Sequence, residues 1–469
     1  MNDAYDINVP LIVDMDETLI RTDSILEALR AAGLRHPKEL FHLHKKSANW
    51  LKFKEAVHDL TRVDQHNLPV HTDVLTWVKE QQAQGRRVVL ATASTYNAAR
   101  DVMEAIGLKC ELMASGNTKL KGDKKRKAIE DRFGSRYMYI GDTDVDKHIW
   151  EGASAIGAVH PSAKLKRWIQ KQDKPHKIWL PTEKAPFIKA TRPHQWIKNV
   201  LIFLPIMASH SWSNPHMVGA TILMFLAFCL IASATYIIND FVDLEDDRAH
   251  PRKKNRPLAS GAIRLDKGIL LCLGLMAASL VIASIIGFEA IAMLAIYTFL
   301  TLTYSFKAKT KPIIDVIMLS TLYSSRIIAG VVVTGLVITP WLLLFSFFLF
   351  LSLATAKRVG ELKSLGSRKE SRRGYTEEDL VFLQTTGIAT GLSSTVILGL
   401  YTAAPDVVAL YTTPNLLFGA VVGLVLWVLH VWFQTHKGNM SDDPIVFAFK
   451  DRLSLLLGTM TLAFFVLAV

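Results

Sequence analysis

Cysteine is scarce: three in 469 residues, Cys110, Cys229 and Cys272. Their spacing matches no metal site, and two lie inside apolar runs, so they read as small core residues rather than disulfides or redox centres. The start, Met1 to Pro10, is polar and lacks a basic stretch leading into an apolar one. No signal peptide is expected, and the first segment is expected to fold in the cytosol. Acidic residues are outnumbered, Asp+Glu 42 against Lys+Arg 54. Half the residues are hydrophobic while a fifth are charged. A single soluble domain rarely combines these values, and here they separate along the chain. Charges crowd the first 190 residues and long apolar runs fill the rest. A disordered chain, a secreted disulfide scaffold and a simple soluble monomer are excluded.

Apolar runs of about 18–22 residues fall near 195–212, 216–238, 268–287, 289–306, 313–335, 339–356, 384–402, 412–434 and 452–469. Nine spans put the two termini on opposite sides. The connections near 208–215, 287–290, 335–340 and 402–413 carry no Lys or Arg. The alternate connections carry Arg248, Arg252, Lys253, Lys254 and Arg256; Lys307, Lys309 and Lys311; Lys357, Arg358, Lys363, Arg368, Lys369, Arg372 and Arg373; and Lys437, Lys450 and Arg452. Lys/Arg excess marks cytoplasmic loops, so the N-terminal domain and the basic loops are expected to share the cytoplasmic face of a bacterial-type inner membrane. Trp196, Trp212 and Trp341 sit near span ends, as interfacial anchors do. The +12 net charge thus reads as topology rather than nucleic-acid binding.

In the charged part, Ile7 to Val13 reads as a short buried strand ending in Asp14-Met15-Asp16-Glu17-Thr18. Two carboxylates two residues apart at a strand end can converge on one metal while facing one substrate. Asp14 could attack phosphorus, and Asp16 could act as general acid and then base. Arg87 to Thr92 is a second buried strand, whose Thr92 hydroxyl could hold a phosphoryl oxygen. Lys121 precedes a helical pattern and could neutralise the nucleophile and the phosphoryl group; Lys124 and Lys125 are rivals for that role, though they read more readily as solvated helix charges. Tyr137 to Gly141 is a third strand, followed by Asp142 and Asp146, which could complete an oxygen site for Mg2+. Strands alternating with helices imply a parallel sheet with ligands at the carboxyl ends of its strands.

This set, in this order, resembles the haloacid-dehalogenase (HAD) superfamily over roughly residues 7–175. The resemblance implies a Rossmannoid α/β fold and phosphoryl transfer through an aspartyl-phosphate with Mg2+. Residues 24–68 look like a small helical cap. The HAD-like hydrolase domain is expected over 1–177, a linker over 178–191 and the membrane domain over 192–469. The stretch 176–192 loses periodicity, and it is expected to lie along the membrane surface with Lys184 and Lys189 near anionic headgroups.

In the apolar part, the second span ends in Asn239-Asp240-Phe241-Val242-Asp243-Leu244-Glu245-Asp246-Asp247. Residues 239/240, 243 and 247 are three and four apart, so a continuing helix stacks them on one face. Such a carboxylate stripe at a membrane border is costly unless loaded with metal. Mg2+ bridging to a diphosphate would account for it. His250-Pro251-Arg252-Lys253-Lys254-Asn255-Arg256-Pro257 follows, with cations where an anionic substrate would lie.

The segment resembles the UbiA superfamily of intramembrane prenyltransferases, whose acidic motif Asn-Asp-x-x-Asp-x-x-x-Asp is met by Asn239, Asp240, Asp243 and Asp247. Arg192 to Asn199 looks like that family's first helix, and the resemblance covers roughly 190–469. The resemblance implies an all-α polytopic bundle. In place of a second acidic pair stand Tyr304-Ser305, Lys307, Lys309, Lys311 and a single Asp315, with Arg326 further on. With Lys357-Arg358-Val359-Gly360-Glu361-Leu362, Arg373-Gly374-Tyr375-Thr376 and Asp443-Pro444 through Asp451-Arg452, these resemble the branch of decaprenyl-phosphate phosphoribosyltransferase-like members. That branch implies a phosphoribosyl pyrophosphate donor and a polyprenyl phosphate acceptor. Asp240, Asp243 and Asp247 would hold the Mg-diphosphate. Lys198, Asn239, Lys253, Arg256, Tyr304, Asp315, Arg326, Lys357 and Arg358 would serve substrate binding. The fused HAD phosphatase would remove the product's 5-phosphate. The alternatives are an aromatic prenyltransferase using a polyprenyl diphosphate, a transporter, for which Arg326 and Glu289 are the few candidate charges within spans, and a phosphometabolite-sensing scaffold.

Overall fold

The computed structural model describes residues 6–47, 49–61, 67–116, 119–337, 339–365, 373–440 and 443–469. Arg368, Lys369 and Arg372 of the basic connections lie outside them. The chain forms two compact units. One comprises Met1–Ala190 with Ile237–Leu271, and the other Thr191–Tyr236 with Cys272–Val469.

The first unit is built on a six-stranded parallel sheet. Its strands are β1 (Leu11–Val13), β2 (Val88–Thr95), β3 (Glu111–Ser115), β4 (Met138–Gly141), β5 (Ala155–Val159) and β6 (His176–Trp179), in the order β3-β2-β1-β4-β5-β6. Burial on both faces explains the uninterrupted apolar runs of β1, β4 and β5. Side chains alternate between the faces. Leu11, Val13, Leu90, Met138 and Ile140 pack on one side, and Ile12, Val89, Ala91, Tyr139 and Ile156 on the other. The helices are α1 (Ser24–Arg35), α2 (Pro37–Lys46), α3 (Trp50–Thr61), α4 (Thr72–Ala83), α5 (Tyr96–Ala105), α6 (Asp123–Phe133), α7 (Lys147–Gly152) and α8 (Ala163–Gln170). Between β1 and β2, α1 packs on α3 through Ala28, Ala31 and Ala32 against Phe53 and Val57. β1 pairs with both β2 and β4, in register Leu11↔Val88 and Leu11↔Met138. The strand order reverses there, and a crevice opens beyond the carboxyl ends of such strands.

The boundary expected at 191/192 needs one amendment. Residues 237–271 pack with the N-terminal sheet unit, because buried ion pairs fasten them to α1: Arg248 meets Glu27 at 2.6 Å, with both side chains under 5% exposed.

The second unit is helical. Among the described residues, seven helices are long and apolar enough to cross a membrane: Pro215–Val242, Leu265–Ile286, Phe288–Ala308, Ile314–Thr334, Pro340–Ser364, Glu377–Thr402 and Pro414–His436. Large apolar side chains stay exposed along them, among them Ile285, Phe288, Phe299 and Phe418, as a lipid-facing surface requires. Among the described residues the nine expected spans are met by seven long helices and one shorter apolar helix, Arg452–Ala468. The run at 195–212 is not one helix. It is a 3-10 helix, Pro193–Phe203, followed by a new short helix, Leu204–Ala208. Pro205 explains the break, since it lacks an N–H to continue the ladder and is tolerated in a first turn.

Candidate functional site

The first unit gathers its carboxylates at the switch point. Asp14 follows β1 directly, and Asp142 and Asp146 follow β4. One oxygen from each lies within 4.8 Å of the others. Lys125 of α6 meets Asp14 Oδ2 at 2.8 Å and donates to the Tyr139 hydroxyl, also at 2.8 Å. That hydroxyl lies 3.0 Å from Asp146 Oδ1 and 3.2 Å from Asp14 Oδ2. Asp146 Oδ2 accepts from the backbone N–H groups of Asp142 and Thr143 and from the Thr143 hydroxyl. Thr18 donates to Asp142. Burial, with Asp146 and Asp14 beside it, raises the Asp142 carboxyl well above its ordinary range. Burial also raises Asp14, against the pull of Lys125. Three crowded hard oxygens suit a small divalent cation, whose charge would relieve that repulsion.

Asp16 points elsewhere. Its carboxylate accepts from Ser94 Oγ at 2.6 Å and from the Ser24 N–H at 2.8 Å. It therefore does not join the carboxylate cluster, which corrects its place among the expected metal ligands. Burial, with Asp23 nearby, lifts it to about 6, which suits proton transfer near neutrality. Burial lifts neighbouring Glu17 to about 7, against the pull of Arg264, 3.1 Å away. Thr92 is fully buried in β2, and its hydroxyl accepts from the Ser94 N–H.

The lysine expectation also needs correction. Lys121 is exposed, whereas Lys125 is 3% exposed and sits on Asp14. The helix begins at Asp123, so Lys125 and Ile129, four residues apart, form its buried stripe. Placing Ile129 on the inner face was the signal that would have found Lys125.

The acidic segment, also in this unit, continues helically past the end of its span. The Asp243 N–H donates to Asn239 O, and the Asp247 N–H to Asp243 O, each at 2.8 Å. Residues 239, 243 and 247 therefore follow one another turn by turn, although the long helix ends at Val242 and a short one, Leu244–Ala249, takes over. Asp240 and Asp247 are almost fully buried, and Arg256 Nη1 bridges them at 3.1 and 2.6 Å. Burial raises Asp247 even with Arg256 beside it. Lys253 is half-buried in the following 3-10 turn.

The second unit holds a buried polar cluster. Asp443 Oδ2 takes Lys198 at 2.6 Å and Lys357 at 3.1 Å, and Tyr323 donates to it at 2.9 Å. Arg326 directs its hydrogen bonds to neutral oxygens, Asn199 Oδ1 at 2.8 Å, the Tyr297 hydroxyl at 3.2 Å and the Leu322 carbonyl. Asp315 is fully buried and holds Arg358 at 2.5 Å and the Tyr375 hydroxyl at 2.6 Å. Both oxygens are thus engaged, which makes Asp315 a support for Arg358 rather than the substrate ligand expected of it. Arg358 also reaches Glu361 at 2.5 Å and the Tyr304 hydroxyl at 2.9 Å, and Arg373 donates to the same hydroxyl. Asp443, Tyr323, Tyr375 and Glu361 lay outside the site expected from sequence. Asp443, named in sequence only as part of the Asp443-Pro444 motif, also caps the short helix that starts at Pro444.

Residues 200–450 match the UbiA prenyltransferase family. An uncharacterised protein of Sinorhizobium fredii is 35% identical over 478 residues, spanning 99% of this chain and 92% of that protein. A decaprenyl-phosphate phosphoribosyltransferase of Mycobacterium tuberculosis is 28% identical over 284 residues, 58% of this chain and 90% of that protein. Among solved structures, a UbiA homologue from Archaeoglobus fulgidus bound to GPP and Mg2+ is 16% identical, with a TM-score of 0.47, covering 60% of this chain and all of that one. With seven helices fit to cross a bilayer among its described residues, this chain is an integral membrane protein and belongs to the UbiA prenyltransferase family.

Proposed function

We propose that this protein transfers phosphoribose from phosphoribosyl pyrophosphate to a polyprenyl phosphate, and that its N-terminal unit is a HAD-type phosphatase acting on the product's 5-phosphate. The observation that carries the transferase reading is the similarity to the mycobacterial phosphoribosyltransferase across nearly all of that protein. The character of the second unit supports it. Around Asp443, Asp315 and Glu361 stand Lys198, Lys357, Arg326, Arg358 and Arg373. Buried cations in excess of carboxylates favour an anionic ligand. Asp240, Asp243 and Asp247 would hold a divalent cation, Mg2+ by the hardness of their oxygens. That cation would stabilise charge on the departing diphosphate. The acceptor's phosphate oxygen attacks C1 of the ribose as the C1–O bond to diphosphate breaks.

In the N-terminal unit, Asp14, Asp142 and Asp146 would hold the cation that neutralises a phosphate ester's charge. An Asp14 carboxylate oxygen attacks phosphorus. Lys125 neutralises that carboxylate, and Asp16, raised to about 6, gives its proton to the leaving oxygen and later takes one from water. The cytoplasmic placement of this unit rests on the Lys/Arg bias of alternate loops.

The test incubates purified protein with labelled phosphoribosyl pyrophosphate, polyprenyl phosphate and Mg2+. Asp240→Asn with Asp243→Asn should abolish transfer, and unchanged turnover would sink the transferase reading. Asp14→Asn should let the phosphorylated lipid accumulate, and undiminished dephosphorylation would sink the phosphatase reading. An aromatic acceptor with a polyprenyl diphosphate is the rival assay. The engagement of Asp315 by Arg358 and Tyr375 weighs against that rival.

A further inference from the structure

We propose that α1 of the N-terminal unit sets the position of the acidic segment, with Glu27 and Arg30 as positioning residues for the transferase. This rests on the transferase reading above. Glu27, 1% exposed at its side chain, receives Arg248 through two nitrogens at 2.6 and 3.2 Å and the Thr22 hydroxyl at 2.7 Å. Arg30 reaches Glu245 at 2.6 Å and the Phe241 carbonyl at 3.3 Å, and Arg35 grips the other Glu245 oxygen. Arg248 is tied further to the Ala259 carbonyl at 3.3 Å.

The anchored positions are 241, 245 and 248, and the acids are 240, 243 and 247. On a helical backbone each set forms one stripe, the two about 130° apart at about 3.6 residues per turn. α1 therefore grips one stripe, and the other carries the carboxylates. Each anchor is a direct sequence neighbour of an acid or one residue removed: Phe241 of Asp240, Glu245 of Asp243 and Asp247, Arg248 of Asp247. The short helix cannot rotate or slide to move the acids without also breaking the Glu27–Arg248 pair. A bidentate Arg–carboxylate pair fixes orientation as well as distance. Apolar packing would hold the segment as firmly without fixing its angle. Glu27 and Arg30 have no part in the Asp14–Asp142–Asp146 cluster, so phosphatase chemistry does not account for them. At its N-terminus α1 donates the Ser24 N–H to Asp16.

The experiment uses the full chain in detergent. Three quantities are read: amide hydrogen exchange in 239–249, the Mg2+ concentration giving half-maximal transfer, and the thermal stabilisation by Mg2+ with pyrophosphate. Glu27→Gln and Arg30→Met should each speed exchange in 239–249 and raise the Mg2+ requirement by about tenfold or more, as loss of a ligand's supporting partner does. Glu27→Asp should fall between, and exchange in β1 and β4 should stay unchanged. Wild-type exchange in both variants overturns the proposal. So does faster exchange with an unaltered Mg2+ response, since the contact is then merely structural. If the wild type transfers nothing, the donor reading fails; weaker Mg2+–pyrophosphate stabilisation in the variants then upholds the positioning role, and equal stabilisation overturns it. Should Glu27→Gln fail to fold, Arg30→Met decides, because its partner Glu245 is 31% exposed at the side chain and tolerates the loss.

Discussion

At the scale of the residue, two lysines four apart in sequence have opposite environments. Lys121 is exposed, and Lys125 is buried against Asp14 and Tyr139. Lys125→Ala is expected to cut the proposed phosphatase turnover about 100-fold, the size of one lost charge-stabilising donor, while Lys121→Ala changes it little. Steady-state rates on a generic phosphate ester decide. Asp14 and Asp142 were readable because each directly follows an apolar strand, whereas Thr92 lies inside β2 and Asp146 in the 3-10 turn after β4. The lysine was not, because charge count along 121–127 cannot tell the inner face of a helix from the outer without knowing where the helix begins. His71 gives a second test. It is 6% exposed, edge-on to His160 at 4.4 Å, and burial lowers it to about 3 against an ordinary 6.5. Below the ordinary value the unfolded chain takes up a proton that the folded one refuses. Stability of the unit should therefore fall as pH drops from about 6.5 toward 3. His71→Gln should flatten that slope in thermal melts across pH, and an unchanged slope would assign it to other groups.

At the scale of the element, the parallel strands were legible from their unbroken apolar runs, and most spans from run length alone. The stretch 195–212 was not. Its hydropathy is right, but Pro205 and the buried polar pair Lys198–Asn199 make it a 3-10 helix leading into a short turn of α-helix. Lys198 there joins Lys357 on Asp443, three elements meeting at one carboxylate that no local pattern links. Asp443→Ala leaves two ammonium groups without that partner. It should cost about 3 kcal/mol or more, seen as a lower melting midpoint in detergent. A midpoint within a degree of wild type would mean that the lysines find other acceptors.

At the scale of the whole molecule, the charge pattern predicts topology. The connections of 208–214, 335–339 and 403–413 lack Lys and Arg, whereas those of 243–264, 309–313 and 437–451 carry them. Cysteines placed at 210 and 406 should react with a membrane-impermeant thiol reagent from outside spheroplasts, and one at 254 should not. The reverse labelling would invert the assignment. Hydropathy changes once along the chain, which divides it in sequence into 1–177, a linker 178–191 and 192–469. Packing does not follow it. Arg248 and Glu245 belong with α1, and only the ion pairs reveal that.

The discontinuity of the first unit has a consequence for synthesis. Residues 1–190 leave the ribosome well before 237–271, and translation proceeds at about 5–20 residues per second. The nascent sheet must wait, with Glu27 and Arg30 still lacking Arg248 and Glu245, while the stretch that becomes Pro215–Val242 is still being made. Final closure of this unit thus falls during membrane insertion, and an N-terminal fragment released at 190 would lack the part that completes it.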